Sequence, residues 1–348
     1  MPGFKPAPLA VSIALILAAP MGAVAQQSGD DQAKALDTVV VTGTRVEGRS
    51  ATDTAAPLDV IGVQSLERTG SPELNQALSV SLPSFNFPRP GLTDGTDTVR
   101  PATLRGLSPD QSLVLVNSKR RHSASLVNVN GSIGRGAAAV DLNTIPTAAV
   151  QSIEVLRDGA SAQYGSDAIS GVINVLLRQA SEGGNATVSY GVRDTSYTTP
   201  VTPGPANANW PTPGDITRDR TDGETATVSA WKGFSLGEDG FFTLSAEYKD
   251  QQRTERGGYD YRQQYPLING QFDPREASID RFNAWYGEPD LEQFTLFGNA
   301  GVDLADDARL YAWASYQGRE ATSAGFYRRA LDDRNVIEIY PDGFLPLI

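Results

Sequence analysis

His122 is the only histidine in the chain, and it ends the basic run Lys119-Arg120-Arg121-His122. One imidazole cannot supply a histidine-rich metal site, and a Ser/His/Asp relay would have no second candidate base. There is no cysteine, which removes thiolate metal ligands and disulfides. The carboxylates are scattered, with no pair at the spacing used in glycoside hydrolysis. Gly131-Ser132-Ile133-Gly134-Arg135-Gly136 is glycine-rich, but it lacks the GK[ST] ending and the strand–loop–helix context of a phosphate cradle, so it reads as a loop. A net charge of −12 is the wrong sign for wrapping nucleic-acid phosphates. These residues point away from an enzyme, a resident cofactor, a metal or a nucleic-acid partner. The basic run has two readings, a solvated turn or a tip at which Arg120, Arg121 and His122 meet an anionic ligand or lipopolysaccharide phosphates.

The elements around these residues come next. Charged residues are 20% and hydrophobic ones 40% of the chain, so wholesale disorder is not expected. Residues 1–25 read as a secretory signal peptide: Lys5, an apolar run from Leu9 to Ala19, then Ala23-Val24-Ala25 as a small-x-small cleavage pattern. No later segment offers ~20 consecutive apolar residues, so a membrane-spanning helix is not expected. Residues 26–52 are polar and flexible in this reading, except for Asp37 to Val46. That β-branched run has strand propensity without a nearby partner, and it suits either addition to another protein's sheet edge or the first strand of the next domain.

Residues 53–180 read as one α+β unit. Strands are expected at Asp59–Val63, Leu113–Val116, Ile153–Leu156 and Val172–Leu177. A helix should open at Ser71-Pro72, with Ser71 as N-cap and Leu74, Ala77 and Leu78 on one face. A one-turn helix should follow Pro146.

From residue 184 to 348 the texture is alternation. Apolar residues at 186–192, 226–230, 242–248, 294–304 and 310–316 alternate with polar ones, giving about five antiparallel strands suited to a transmembrane β-barrel. The connections run long (194–223), short (235–239), long (251–290) and short (305–307), the segregation such barrels show. Tyr259, Tyr261, Tyr265 and Trp285 in the second long connection could stack on a ring-bearing ligand. Five strands cannot close a barrel, and an open edge cannot sit in lipid, so the expectation is an incomplete barrel, from a fragment or a truncated product.

Three stretches carry a resemblance. Asp37 to Val46 looks like a TonB box. Leu104-Arg105-Gly106-Leu107 with Ser112 to Arg121 resembles a plug motif, and Ile145 through Val175, including Ile153-Glu154-Val155-Leu156-Arg157-Asp158-Gly159, is similar to the most diagnostic plug stretch. Asp158-Gly159 stands where many members have Gly-Pro. The chain thus resembles a TonB-dependent outer-membrane receptor. The resemblance implies an α+β plug followed by antiparallel barrel strands, and TonB-dependent import of a scarce ligand, such as a ferric siderophore or another chelate, across the bacterial outer membrane. It implies TonB, with its inner-membrane energising complex, bound at Asp37, Thr38, Val39, Val40, Val41, Thr42 and Gly43, and a plug–barrel latch at Arg105, Glu154 and Arg157. Local pairing within the plug is the other reading for that latch. A passive porin would need no plug. A signal-transducing receptor would bring an additional N-terminal domain, and only about 11 residues separate the expected cleavage site from the box.

Overall fold

A computed structural model describes Thr42 and residues 57–332, apart from 70, 72, 90, 94, 130–133, 158–159, 200–207, 211–213, 283, 306–307 and 330. The signal peptide and the expected TonB box, Thr42 excepted, lie outside the described residues.

The first part is built on a mixed sheet. In chain order come β1 (Leu58–Gly62), α1 (Val63–Arg68), α2 (Leu74–Ser81), β2 (Phe85–Asn86), β3 (Thr103–Leu104), β4 (Ser112–Val116), β5 (Lys119–Arg120), β6 (Val150–Leu156), α3 (Ser161–Tyr164) and β7 (Gly171–Leu177). The sheet order is β1-β6-β7-β4-β5, with β4 and β7 parallel and the other pairs antiparallel. All of β4, Ser-Leu-Val-Leu-Val, is buried. That matches the rule that parallel strands are covered on both faces and read as continuous apolar runs. On one face Val114, Val116, Ile153, Val155, Ile173 and Val175 pack against Leu66 of α1 and Leu74, Ala77 and Leu78 of α2. On the other, Leu113, Leu115, Leu156 and Val172 meet Ala160 and Ala168. Gly171 belongs at its corner: its φ is +136°, and a Cβ there would lie 2.3 Å from the carbonyl oxygen of Leu156.

Two local expectations shift. The helix begins at Leu74, with Glu73 at its N-cap position. Ser71 acts one step earlier, its Oγ accepting the Glu73 N–H at 3.2 Å. The first strand stops at Gly62, and Val63 starts α1, a helix the sequence reading did not anticipate.

The second part is an antiparallel meander of β8 (Gly184–Thr199), β9 (Ile216–Ser235), β10 (Gly240–Gln251), β11 (Asp290–Ala305) and β12 (Ala308–Thr322), in the order β12-β11-β10-β9-β8. Among the described residues it does not close, and β8 and β12 are its edges. Its polarity is the reverse of a water-soluble sheet. Thr243, Ser245, Glu247 and Lys249 of β10 and Gln293, Thr295 and Asn299 of β11 are buried, whereas Leu244 and Leu296 are half-buried and Val188, Leu310 and Tyr316 exposed. A wall with lipid outside and a filled lumen inside requires this inversion.

β8 and β9 outrun their sequence signal. Pairing continues past the bulge at Gly191/Arg193 to Thr199↔Ile216, so the first long connection is 200–215 rather than 194–223. The extra strand length carries Arg193, Asp194, Arg218 and Asp219, with polar residues on both faces. Such a hairpin holds by its ladder and shows no in–out alternation to read.

Candidate functional site

The plug and the sheet meet through the polar inner face of the strands. At the end bearing the long connections, Glu73 at the head of α2 is 6% exposed and takes Lys249 Nζ on Oε1 at 2.7 Å, while its Oε2 pairs with Arg89. Burial opposes ionisation of Glu73, but the charges of Lys249, Arg100 and Arg89 prevail and hold its carboxyl at about 2. Arg89 also reaches Glu288 near the end of the second long connection, and Glu288 pairs with Arg193 of β8 at 2.7 Å. Nearby, Arg319 of β12 meets Asp141 at 2.8 Å and donates to the Thr98 carbonyl at 2.9 Å.

Beside these ion pairs the wall makes neutral joints. Level with Lys249 and Arg319, Gln293 Nε2 donates to the Asn143 carbonyl at 2.9 Å, and lower down Asn299 Nδ2 donates to the Arg178 carbonyl at 3.0 Å. The Ala180 N–H donates to Thr243 Oγ1 at 2.9 Å. Arg178 lies 4.3 Å over the Trp231 ring, and Phe297 of β11 joins the plug's own apolar core. Hydrogen bonds to backbone carbonyls need no carboxylate on the wall, so these joints carry no sequence motif.

Among the described residues the expected latch positions pair within the plug. Arg157 pairs with Asp59 of β1 at 2.7 Å, and Arg105, at φ 56°, donates to the Ile169 carbonyl at 3.2 Å. Glu154 is wholly buried in β6 opposite Asn174 and accepts the Thr42 N–H on Oε2 at 2.8 Å. Asn174 Nδ2 donates to Thr42 Oγ1 at 3.0 Å. Thr42, inside the expected TonB box, is therefore seated on the plug sheet by two buried polar side chains.

The basic run divides. Arg120 pairs with Asp167 and donates to the Tyr164 carbonyl at 3.2 Å. Arg121 is buried, donates to Ser315 Oγ and Thr144 Oγ1 at 3.3 Å, and lies over Trp313. His122 is exposed, its pKa pushed down by burial of the ring and by the Arg121 charge. Lys119 stands 6.0 Å from the Tyr311 ring, near the start of β12, so this hairpin lies toward the short turns. Tyr259 packs edge-on against Phe282 at 5.6 Å, and Tyr265 is covered by Arg275 at 4.2 Å. Tyr261 is half-buried. The second long connection is thus folded on itself, braced by the buried pair Arg281–Glu276 at 2.5 Å. Among the described residues no group of three His, Cys, Asp or Glu could hold a metal ion.

Sequence reading missed Glu73, Arg89, Asp141, Arg178 and Phe297. The usable signal was the polar stripe Lys249, Gln293 and Asn299. Inner-face groups desolvated by a plug require partners, and the plug is the body that can supply them.

Comparison with known proteins agrees with this architecture. Residues 50–172 match the family model described as TonB-dependent Receptor Plug Domain. The chain is 34% identical over 167 residues to the vitamin B12 transporter BtuB of Vibrio cholerae serotype O1, an alignment covering 48% of this chain and 25% of that protein. The chain therefore spans about a quarter of the length of the curated relatives it matches. Among solved structures it is similar to two mutants of the ferric enterobactin receptor PfeA from Pseudomonas aeruginosa. One has a TM-score of 0.52 at 18% identity, covering 82% of this chain and 35% of that one. The other has 0.51 at 18%, covering 77% and 34%. Residues 50–172 thus carry a plug domain of the kind found in TonB-dependent receptors, and β8–β12 share the fold of the strands that follow the plug in those structures.

Proposed function

We propose that this chain serves TonB-dependent import of a scarce ligand across the bacterial outer membrane. The observation that carries the reading is a separately cored plug fastened to the polar inner face of lipid-facing strands, through Glu73–Lys249, Arg319–Asp141 and Asn299 to the Arg178 carbonyl. A lumen filled this way passes nothing by diffusion and needs work to open it. The periplasm holds no ATP, so that work would come from TonB, pairing with residues 37–43 as an added strand. In this reading the domains run as signal peptide 1–25, box-bearing segment 26–52, plug 53–180 and barrel strands from 184.

The long connections would face outward, and the ligand would sit between them and the plug. Because Arg120 lies toward the short turns and Tyr259 and Tyr265 are taken up by loop packing, none of these is carried forward as a ligand contact. The ligand class stays at a chelate: BtuB is named for vitamin B12 and PfeA for ferric enterobactin, and both are chelates of a metal.

The test is uptake in cells making the full-length receptor, with and without residues 37–43. Deletion should abolish energised accumulation of the ligand while leaving binding at the cell surface intact. Accumulation that persists without the box, or in cells lacking TonB, would sink the proposal.

A further inference from the structure

Five alternating charges form one unbroken relay: Lys249 of β10, Glu73 at the N-cap of α2, Arg89 of the plug, Glu288 near the end of the second long connection, and Arg193 of β8. It links the plug to the wall and to the connection 252–289 between β10 and β11, both far from the plug in sequence. Glu288 is aimed by its backbone, since its N–H donates to Thr254 Oγ1 at 2.9 Å and its carbonyl accepts from Thr254 N at 3.2 Å. Plug and connection also touch directly, since a Cβ on Gly91 would lie 3.2 Å from the Gly287 carbonyl oxygen; within the connection, one on Gly287 would lie only 2.0 Å from the carbonyl oxygen of Thr254.

A cavity of about 230 Å³ opens beside the relay, lined by Glu73, Arg89, Arg193, Lys249 and Gln251 among others. The relay holds three cations against two carboxylates, and Arg89 and Arg193 both spend a guanidinium nitrogen on Glu288. An anion entering the cavity would meet that surplus positive charge and could take the Glu288 positions, because arginine forks bind carboxylate and phosphate by the same geometry.

We propose that Glu288 is an anion-displaceable clasp, which holds the connection 252–289 on plug helix α2 until a phosphate- or carboxylate-bearing group replaces it on Arg89 and Arg193. The coupling goes beyond the import reading, and its test requires neither TonB nor transport.

The experiment is amide hydrogen exchange, read by mass spectrometry, on the full chain in detergent micelles. Glu288→Gln should speed exchange roughly tenfold both in residues 286–289 and across α2, residues 74–81, because the half-buried Arg89 guanidinium loses a charged partner. Arg89→Gln should do the same, and the double variant should add nothing. Inorganic phosphate should reproduce the effect in the wild type relative to chloride at matched ionic strength, and Arg193→Gln, at the exposed end of the relay, should abolish that response. Faster exchange confined to 286–289, with α2 unmoved, would overturn the coupling. Equal effects of phosphate and chloride, or a phosphate response that survives in Arg193→Gln, would overturn displacement. Glu288→Asp, which keeps the charge but shortens its reach, provides the same reading at smaller amplitude if Glu288→Gln does not fold.

Discussion

Phe297 of β11 stacks on Trp313 of β12 with ring centroids 5.7 Å apart and planes 17° from parallel, yet Phe297 is 1% exposed because its far side is embedded in the apolar core of the plug. It sits on the inner face of β11 between the polar positions Thr295 and Asn299. Phe297→Ala removes a fully buried ring from a junction between two bodies, and it should cost about 3–5 kcal/mol. The check is the denaturant midpoint of the purified chain in detergent, followed by tryptophan fluorescence, to which Trp313 beside this ring contributes. An unchanged midpoint would mean the ring merely fills space.

Acid should loosen the plug through Glu73. Its carboxyl is held at about 2 against an ordinary 4.5, so it contributes stability that is present above pH 4.5 and lost as pH falls from there toward 2. The contribution is on the order of 3 kcal/mol. Glu73→Gln should lower the unfolding midpoint at neutral pH, and the gap between variant and wild type should narrow between pH 4.5 and 2. A gap of constant size across that range would show that the charge is not what matters.

Gly171 tolerates no side chain. The positive φ costs any other residue about 1–3 kcal/mol, and the Leu156 carbonyl stands 2.3 Å from where a Cβ would be. Gly171→Ala is expected to part β7 from β6 and to expose the plug to limited proteolysis. A protease pattern identical to wild type would contradict this placement.

Val188 is 76% exposed on the outward face of β8. Val188→Arg should cost about 2–4 kcal/mol near the bilayer midplane when folding is measured in lipid vesicles. The same change should cost much less in the polar outer extension, at Thr198. Equal penalties at the two sites would place the membrane boundary elsewhere.

Much of this was legible in the sequence, for stateable reasons. The strands of the plug appear as short apolar runs because parallel or doubly covered strands bury both faces. Those of the wall appear as strict alternation because one face meets lipid and the other a polar interior. The alternation at 186–192 ended where Arg193 begins, so the outer halves of β8 and β9 escaped notice. α1 escaped because six residues, Val63–Arg68, offer too little periodicity to outweigh the β-branched run before them. The candidate site was less readable. Its joints pair residues up to 221 positions apart, as from Arg319 to the Thr98 carbonyl, and many use main-chain acceptors that every residue possesses. Motif resemblance directed attention to Arg105 and Arg157, whose partners here are Ile169 and Asp59. The charges that tie plug to wall lie instead at Glu73, Arg89 and Asp141, in segments where a lone ion gives no pattern.

The reversed polarity of β8–β12 decides where this molecule can exist. In water, Val188, Tyr190, Leu310 and Tyr316 would form one continuous wettability defect, and the cheapest remedy would be another copy of the same face. Sheets would then stack back to back, each still holding its plug on the far side. A bilayer or a micelle is therefore part of the fold, as much as any buried leucine, and the same chain without one should be found in the pellet.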